Sequence, residues 1–162
     1  MKFEKFLKSL GGHGIIYTKG DERWLASSKV CAKIPETMVG VIAENIVEMP
    51  ETIRKHIDCD MCNDPCELKK AIMPVADGGI KDCVRVFATE NGVELALDND
   101  EYSFISNSDI VEIHTKFESD TESYTGVALI VRKINRNPDE DPEIIGIIYP
   151  TTTEYKNKEE QK

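Results

Sequence analysis

Four side chains able to hold a metal or exchange electrons lie in one short segment: His56, Cys59, Cys62 and Cys66, spaced His-x2-Cys-x2-Cys-x3-Cys. One imidazole and three thiols match in number and type the donors of a tetrahedral zinc. Thiolates held close together repel, and a divalent cation relieves that repulsion while releasing their protons. The spacing departs from common zinc modules, in which two ligand pairs stand roughly a dozen or more residues apart and staple two chain segments. An iron–sulfur cluster is a second occupant for the same donors, although the spacing matches no ferredoxin pattern. A reading without metal has His56 closing a helix, where a partial positive charge suits the dipole, while the cysteines pack as small hydrophobes. Cys59-Asp60-Met61-Cys62 has the spacing of a thiol–disulfide motif, but no strand of a βαβ unit precedes it. Cys31 and Cys83 stand apart beside apolar neighbours and read as buried core thiols.

Weaker signals lie elsewhere. Glu112 and His114 alternate on one strand face, an arrangement for proton transfer that more often just faces solvent. Gly11-Gly12-His13-Gly14 follows an apolar period where a phosphate loop would have to open a helix, so it reads as a connector. Asn137 to Glu143 is rich in carboxylates but lacks the alternating spacing and glycine of a calcium loop. Walker, dinucleotide, nucleophile-elbow and His-Glu-x-x-His motifs do not occur, and no catalytic set is recognisable.

The elements that must position these residues follow from periodicity. Phe3, Phe6, Leu7 and Leu10 predict a helix over 2–10, ended by Gly11 and Gly12. Residues 14–17 and 23–27 around Lys19-Gly20-Asp21-Glu22 predict a hairpin with Trp24 inside. Pro35, Pro50 and Asp64-Pro65 each carry helix-start chemistry, and the third helix presents Leu68, Ala71, Ile72 and Val75 on one face. From Cys83 the period becomes two. Glu90-Asn91-Gly92 joins strands 84–88 and 93–97, and further strands are predicted over 110–117, 127–134 and 144–149. Residues 100–106 fit either a strand or a helical turn. The expected fold is α+β: short N-terminal helices and a hairpin followed by an antiparallel β-meander. Residues 1–150 form one domain and 151–162 a disordered charged tail.

The chain has 162 residues, enough for one core, and 40% hydrophobic with 31% charged residues is ordinary for a folded protein. Thirty acidic residues against twenty basic ones give a formal charge of -10, which repels phosphate backbones and anionic lipid. Lys29, Lys33, Arg54, Lys55, Lys69, Lys70, Lys81 and Arg85 concentrate positive charge in the first half, while 90–122 is acidic. Charges interrupt the apolar residues of the first ten positions, so no secretory signal is expected, and no run is long enough for a membrane span. An odd cysteine count without a signal suits reduced thiols or a metal, and a cytoplasmic location.

Glu67 to Val75, followed by Val84–Thr89, Asn91-Gly92 and Val93–Leu97, is similar to the helix-then-hairpin opening of a DNA sliding-clamp domain. The resemblance implies an acidic exterior with a basic helical lining, for which Lys69 and Lys70 are placed, and a ring closed by oligomerisation. In style the chain also resembles the small acidic proteins of bacteriophages and mobile elements, which implies no residue-level role. The expected function is a non-catalytic interaction or accessory protein that binds a protein partner through an acidic or mixed-charge surface. Two alternatives accompany it: a clamp-like DNA-processing accessory, and a small zinc-binding or redox protein using His56 to Cys66.

Overall fold

The computed structural model describes residues 1–11, 14–38, 45–72 and 83–151, and among these the chain is mostly β-sheet with a few short helices. Helix α1 (Phe3–Ser9) forms where the apolar period predicts it, burying Phe3 and Phe6 and passing through Gly11 at φ 59°. The first hairpin, β1 (Ile15–Lys19) and β2 (Glu22–Ala26), turns at Gly20, whose φ of 60° is open to glycine without steric cost. Trp24 is fully buried, and its indole N–H donates to Glu22 Oε2 at 3.2 Å.

Strands β3 (Val30–Lys33) and β4 (Asn45–Glu48) follow, then α2 (Glu51–Asp58), a single 3-10 turn (Asp60–Cys62) and β5 (Asn63–Ile72). The second hairpin is β6 (Val84–Thr89) and β7 (Glu94–Asp98), with Gly92 at φ 82° in its turn. Residues 99–102 resolve the strand-or-turn ambiguity as a short helix, α3 (Asn99–Tyr102). The last strands are β8 (Ile110–Glu118), β9 (Ser123–Lys133) and β10 (Glu143–Ile148).

All ten strands join in the order β4-β1-β2-β3-β10-β9-β8-β5-β6-β7. The expected meander is present as β8-β9-β10, each antiparallel to the next. It is enclosed rather than appended: β3 lies against β10, and β5 is inserted between β8 and the β6–β7 hairpin. Beyond β7, the Thr151 N–H reaches Ala96 O at 2.8 Å, so the chain just past β10 returns to that edge.

Two expectations are corrected. The helix predicted from Asp64-Pro65 is strand β5, because the ladder to β6 (Cys66↔Thr89, Leu68↔Phe87, Ile72↔Val84) overrides the local helical period. Pro65, which cannot donate to a ladder, sits where β5 leaves β8 for β6. The helix-then-hairpin pattern behind the clamp resemblance loses its helix there; residues 73–82, including Val75, lie outside the described residues. Of the helix expected from Pro35, the described residues show one turn, Met38 N–H to Pro35 O at 2.9 Å; residues 39–44 lie outside the described residues, and 45–48 form a strand parallel to β1. The tail beyond 151 lies outside the described residues.

The central strands are buried on both faces. Leu129 and Val131 of β9 belong to one apolar cluster, Ala128 and Ile130 to another, as alternation across a strand demands. The first face is covered by Phe3 and Phe6 of α1, by Phe87, Leu95 and Leu97 of the second hairpin, and by Phe104, whose ring meets Phe6 edge-on at 5.3 Å. The second face is covered by α2 through Ile53 and Ile57, with Met49 buried ahead of Pro50. No described helix is long and apolar enough to cross a membrane.

β7 crosses β9 at Gly126, where an added Cβ would stand 3.0 Å from Ile113 Cγ2, 3.1 Å from the Glu94 carbonyl oxygen and 3.4 Å from Leu95 Cβ. Gly126→Ala is therefore expected to destabilise the protein by about 1–3 kcal/mol through overpacking, read from urea unfolding. An unchanged midpoint would mean that the second hairpin does not rest on β9.

Candidate functional site: a histidine pair and a thiol pair at the end of α2

Pro50 supplies the carbonyl that accepts the first helical bonds, from Ile53 and Arg54 N–H at 3.0 and 2.9 Å. Ile53, His56 and Ile57 then fall on one face at i, i+3 and i+4, and that face lies on the sheet. His56 is 4% exposed. Its ring meets His114 of β8 edge-on, centroids 4.5 Å apart at 83°, and Tyr149 at 5.8 Å and 68°.

His114 alternates with Ile113 of the first cluster and so projects to the α2 side. Its Nδ1 lies 2.6 Å from Asn63 Oδ1. His56 Nδ1 is buried with no hydrogen-bond partner among the described residues. Burial first, then the charges of His114 and Lys55, push the His56 imidazolium down to about 4, and burial with Lys55 also lowers His114. Burial pushes the Tyr149 hydroxyl up to about 12. At neutral pH this nest is uncharged.

The thiols divide. Cys59 caps α2 and Cys62 closes the 3-10 turn, with the Cys62 N–H donating to Cys59 O at 3.2 Å and the two Sγ atoms 2.8 Å apart. The turn is held from the sheet side: Arg132 of β9 donates to Asp60 Oδ1 at 2.7 Å and to Glu112 Oε2 at 2.8 Å, and the Thr115 hydroxyl donates to Cys62 O at 3.2 Å. The hydrogen bond with Cys59, followed by burial and the charges of Cys59 and Asp64, raises the Cys62 thiol above its ordinary value. Cys66 instead enters the first cluster, on the face away from α2, where burial pushes its thiol up to about 12. Cys31 and Cys83 are buried, as their apolar neighbours predict.

Of the four donors read from the sequence, the structure brings Cys59 and Cys62 together and carries His56 and Cys66 to opposite faces. Among the described residues, no group of three or more His, Cys, Asp or Glu side chains gathers as a metal site. Glu112 and His114 do not act on each other: each has its own partner, Arg132 and Asn63, and His114 is buried rather than solvent-facing. Asn63 and Tyr149 carry no sequence signal. A cleft of about 530 Å³ lies elsewhere, lined by Met1, Phe3, Lys33 and Glu143 among others. Lys33 is neutralised there by Glu22, at 2.6 Å, and by Glu143. Compared with protein-family models, with curated proteins and with solved structures, the chain matches none.

A histidine that must fold uncharged makes stability depend on pH. The unfolded imidazole takes a proton below about 6.5 and the folded one only near 4. Stability is thus complete above the unfolded value and falls as pH drops from there toward 4, by about 1.4 kcal/mol per pH unit for His56. Urea unfolding between those limits is expected to show this slope, and His56→Phe to flatten it. Equal slopes in both proteins would contradict a buried neutral His56.

Proposed function

We propose that the chain is a non-catalytic interaction protein that takes an extended, basic segment of a protein partner along strand β4. The observation that carries the reading is the edge itself. Among the described residues β4 ends the sheet, all four of its residues are exposed, and Ile46 and Val47 show 59% and 45% of their surface. An open edge offers unpaired backbone groups to an incoming strand, and alternate side chains supply the specificity. The formal charge of -10 favours a Lys- or Arg-bearing partner.

The disposition of the basic residues supports the same preference. Lys29 bonds Asp98 at 2.5 Å, Arg54 bonds Glu48 at 2.9 Å, and Lys69 bonds Glu94 at 3.2 Å. Such surface pairs add little stability, but they spend positive charge that the clamp-like alternative needs for phosphates.

Ile46→Lys with Val47→Lys alters exposed side chains only, so stability is expected to change by less than about 0.5 kcal/mol. In affinity capture from the source cells, a partner held by the unaltered chain is expected to be lost from this variant. It should be kept by a control carrying Glu140→Lys, and released as salt rises. Equal capture by both variants would refute the edge as the binding surface.

A further inference from the structure

We propose that Cys59 and Cys62 are a thiol–disulfide exchange site, cycling between a dithiol and an intramolecular disulfide with small-molecule disulfides of the glutathione class. The geometry is already close. The two sulfurs stand 2.8 Å apart, and a bond of about 2.05 Å needs less than an ångström of further approach. The backbone is suited as well. The Cys62 N–H to Cys59 O bond closes a single turn, which holds the flanking Cα atoms within about 7 Å, at the span that disulfides bridge. Both residues are half-buried and so remain open to a small reagent, whereas Cys31, Cys66 and Cys83 are buried.

Either thiol can open the cycle, since both are half-buried and the two sulfurs face each other. Take Cys59 as the attacking thiolate. It displaces one thiolate from the small disulfide and forms a mixed disulfide. Cys62 gives up its proton to solvent and attacks the Cys59 sulfur, expelling the second small thiolate. Two electrons pass from the protein sulfurs to the small disulfide, which leaves as two thiols carrying the two protons. Unlike motifs that open a helix, this pair closes α2, so no helix N-terminus stabilises the thiolate. The rate of reaction is expected to rise with pH as thiolate forms. The salt bridge from Arg132 to Asp60 and the bond from Thr115 to Cys62 O hold the turn through the cycle.

The test is to incubate the full chain with oxidised glutathione, trap the remaining thiols with iodoacetamide after denaturation, and map the peptides by mass. Cys59 and Cys62 should vanish together from the alkylated pool, joined to each other, and return on treatment with dithiothreitol. Cys62→Ser should instead accumulate a stable mixed disulfide at Cys59, and Cys62→Ala should do the same if serine disturbs the turn. The proposal is overturned if the wild-type thiols acquire glutathione independently, or if the bond forms only in urea. It is equally overturned if zinc co-purifies and shields both thiols from the oxidant, which would make the pair a metal site.

Discussion

The structure depends on one constraint: strands β9, β10, β2 and β3 are apolar on both faces, so the sheet needs a cover on each side. Leu129 and Val131 on one face, and Ala128 and Ile130 on the other, lose all contact with water. At roughly 1.5–3 kcal/mol for each large side chain removed from solvent, neither face can be left open. Helix α1, the second hairpin and Phe104 supply the first cover. The second is narrower, a two-turn helix and its flanks, and this is where the polar chemistry collects.

A helix of eight residues is marginal alone, so α2 is held by what lies beneath it. Ile53 and Ile57 contribute apolar area, but the middle of the face is His56 against His114 and Tyr149. Only uncharged imidazoles can be stacked there without a counter-ion. The same docking fixes the end of the helix, and with it the turn that presents Cys59 and Cys62. Arg132 ties that turn to β9, so the thiol pair is mounted next to the fully buried run 128–131 through one guanidinium shared by Asp60 and Glu112. At the opposite margin, β4 joins the sheet through β1 alone among the described residues and shares little of the core.

Much of this was legible in the sequence where local physics and tertiary demand agree. Gly20 and Gly92 mark turns because each needs positive φ, and the flanking residues alternate as half-buried strands do. The helix at Pro50 and the strands of the meander were read for similar reasons. The sequence misled where the two disagree. Glu67-Leu68-Lys69-Lys70-Ala71-Ile72 has good helix formers at helical spacing, yet it completes a ladder with β6, with a register shift between Leu68 and Lys70. Proximity in sequence is also not proximity in space for His56, Cys59, Cys62 and Cys66. A strand turns successive residues to opposite faces, and that geometry sends Cys66 to one cluster while α2 carries His56 to the other side. His114 and Asn63, far apart in the chain, could be joined to His56 only by the pairing of β5 with β8.

The most direct test of the two-cover account is amide hydrogen exchange of the intact chain, followed residue by residue. If β9 is the strand sealed on both faces, Ala128 to Val131 should exchange only through global unfolding, while the amides of β4 exchange orders of magnitude faster through local opening. Exchange in β9 as rapid as in β4, or an opening of α2 that exposes β9 without global unfolding, would contradict it.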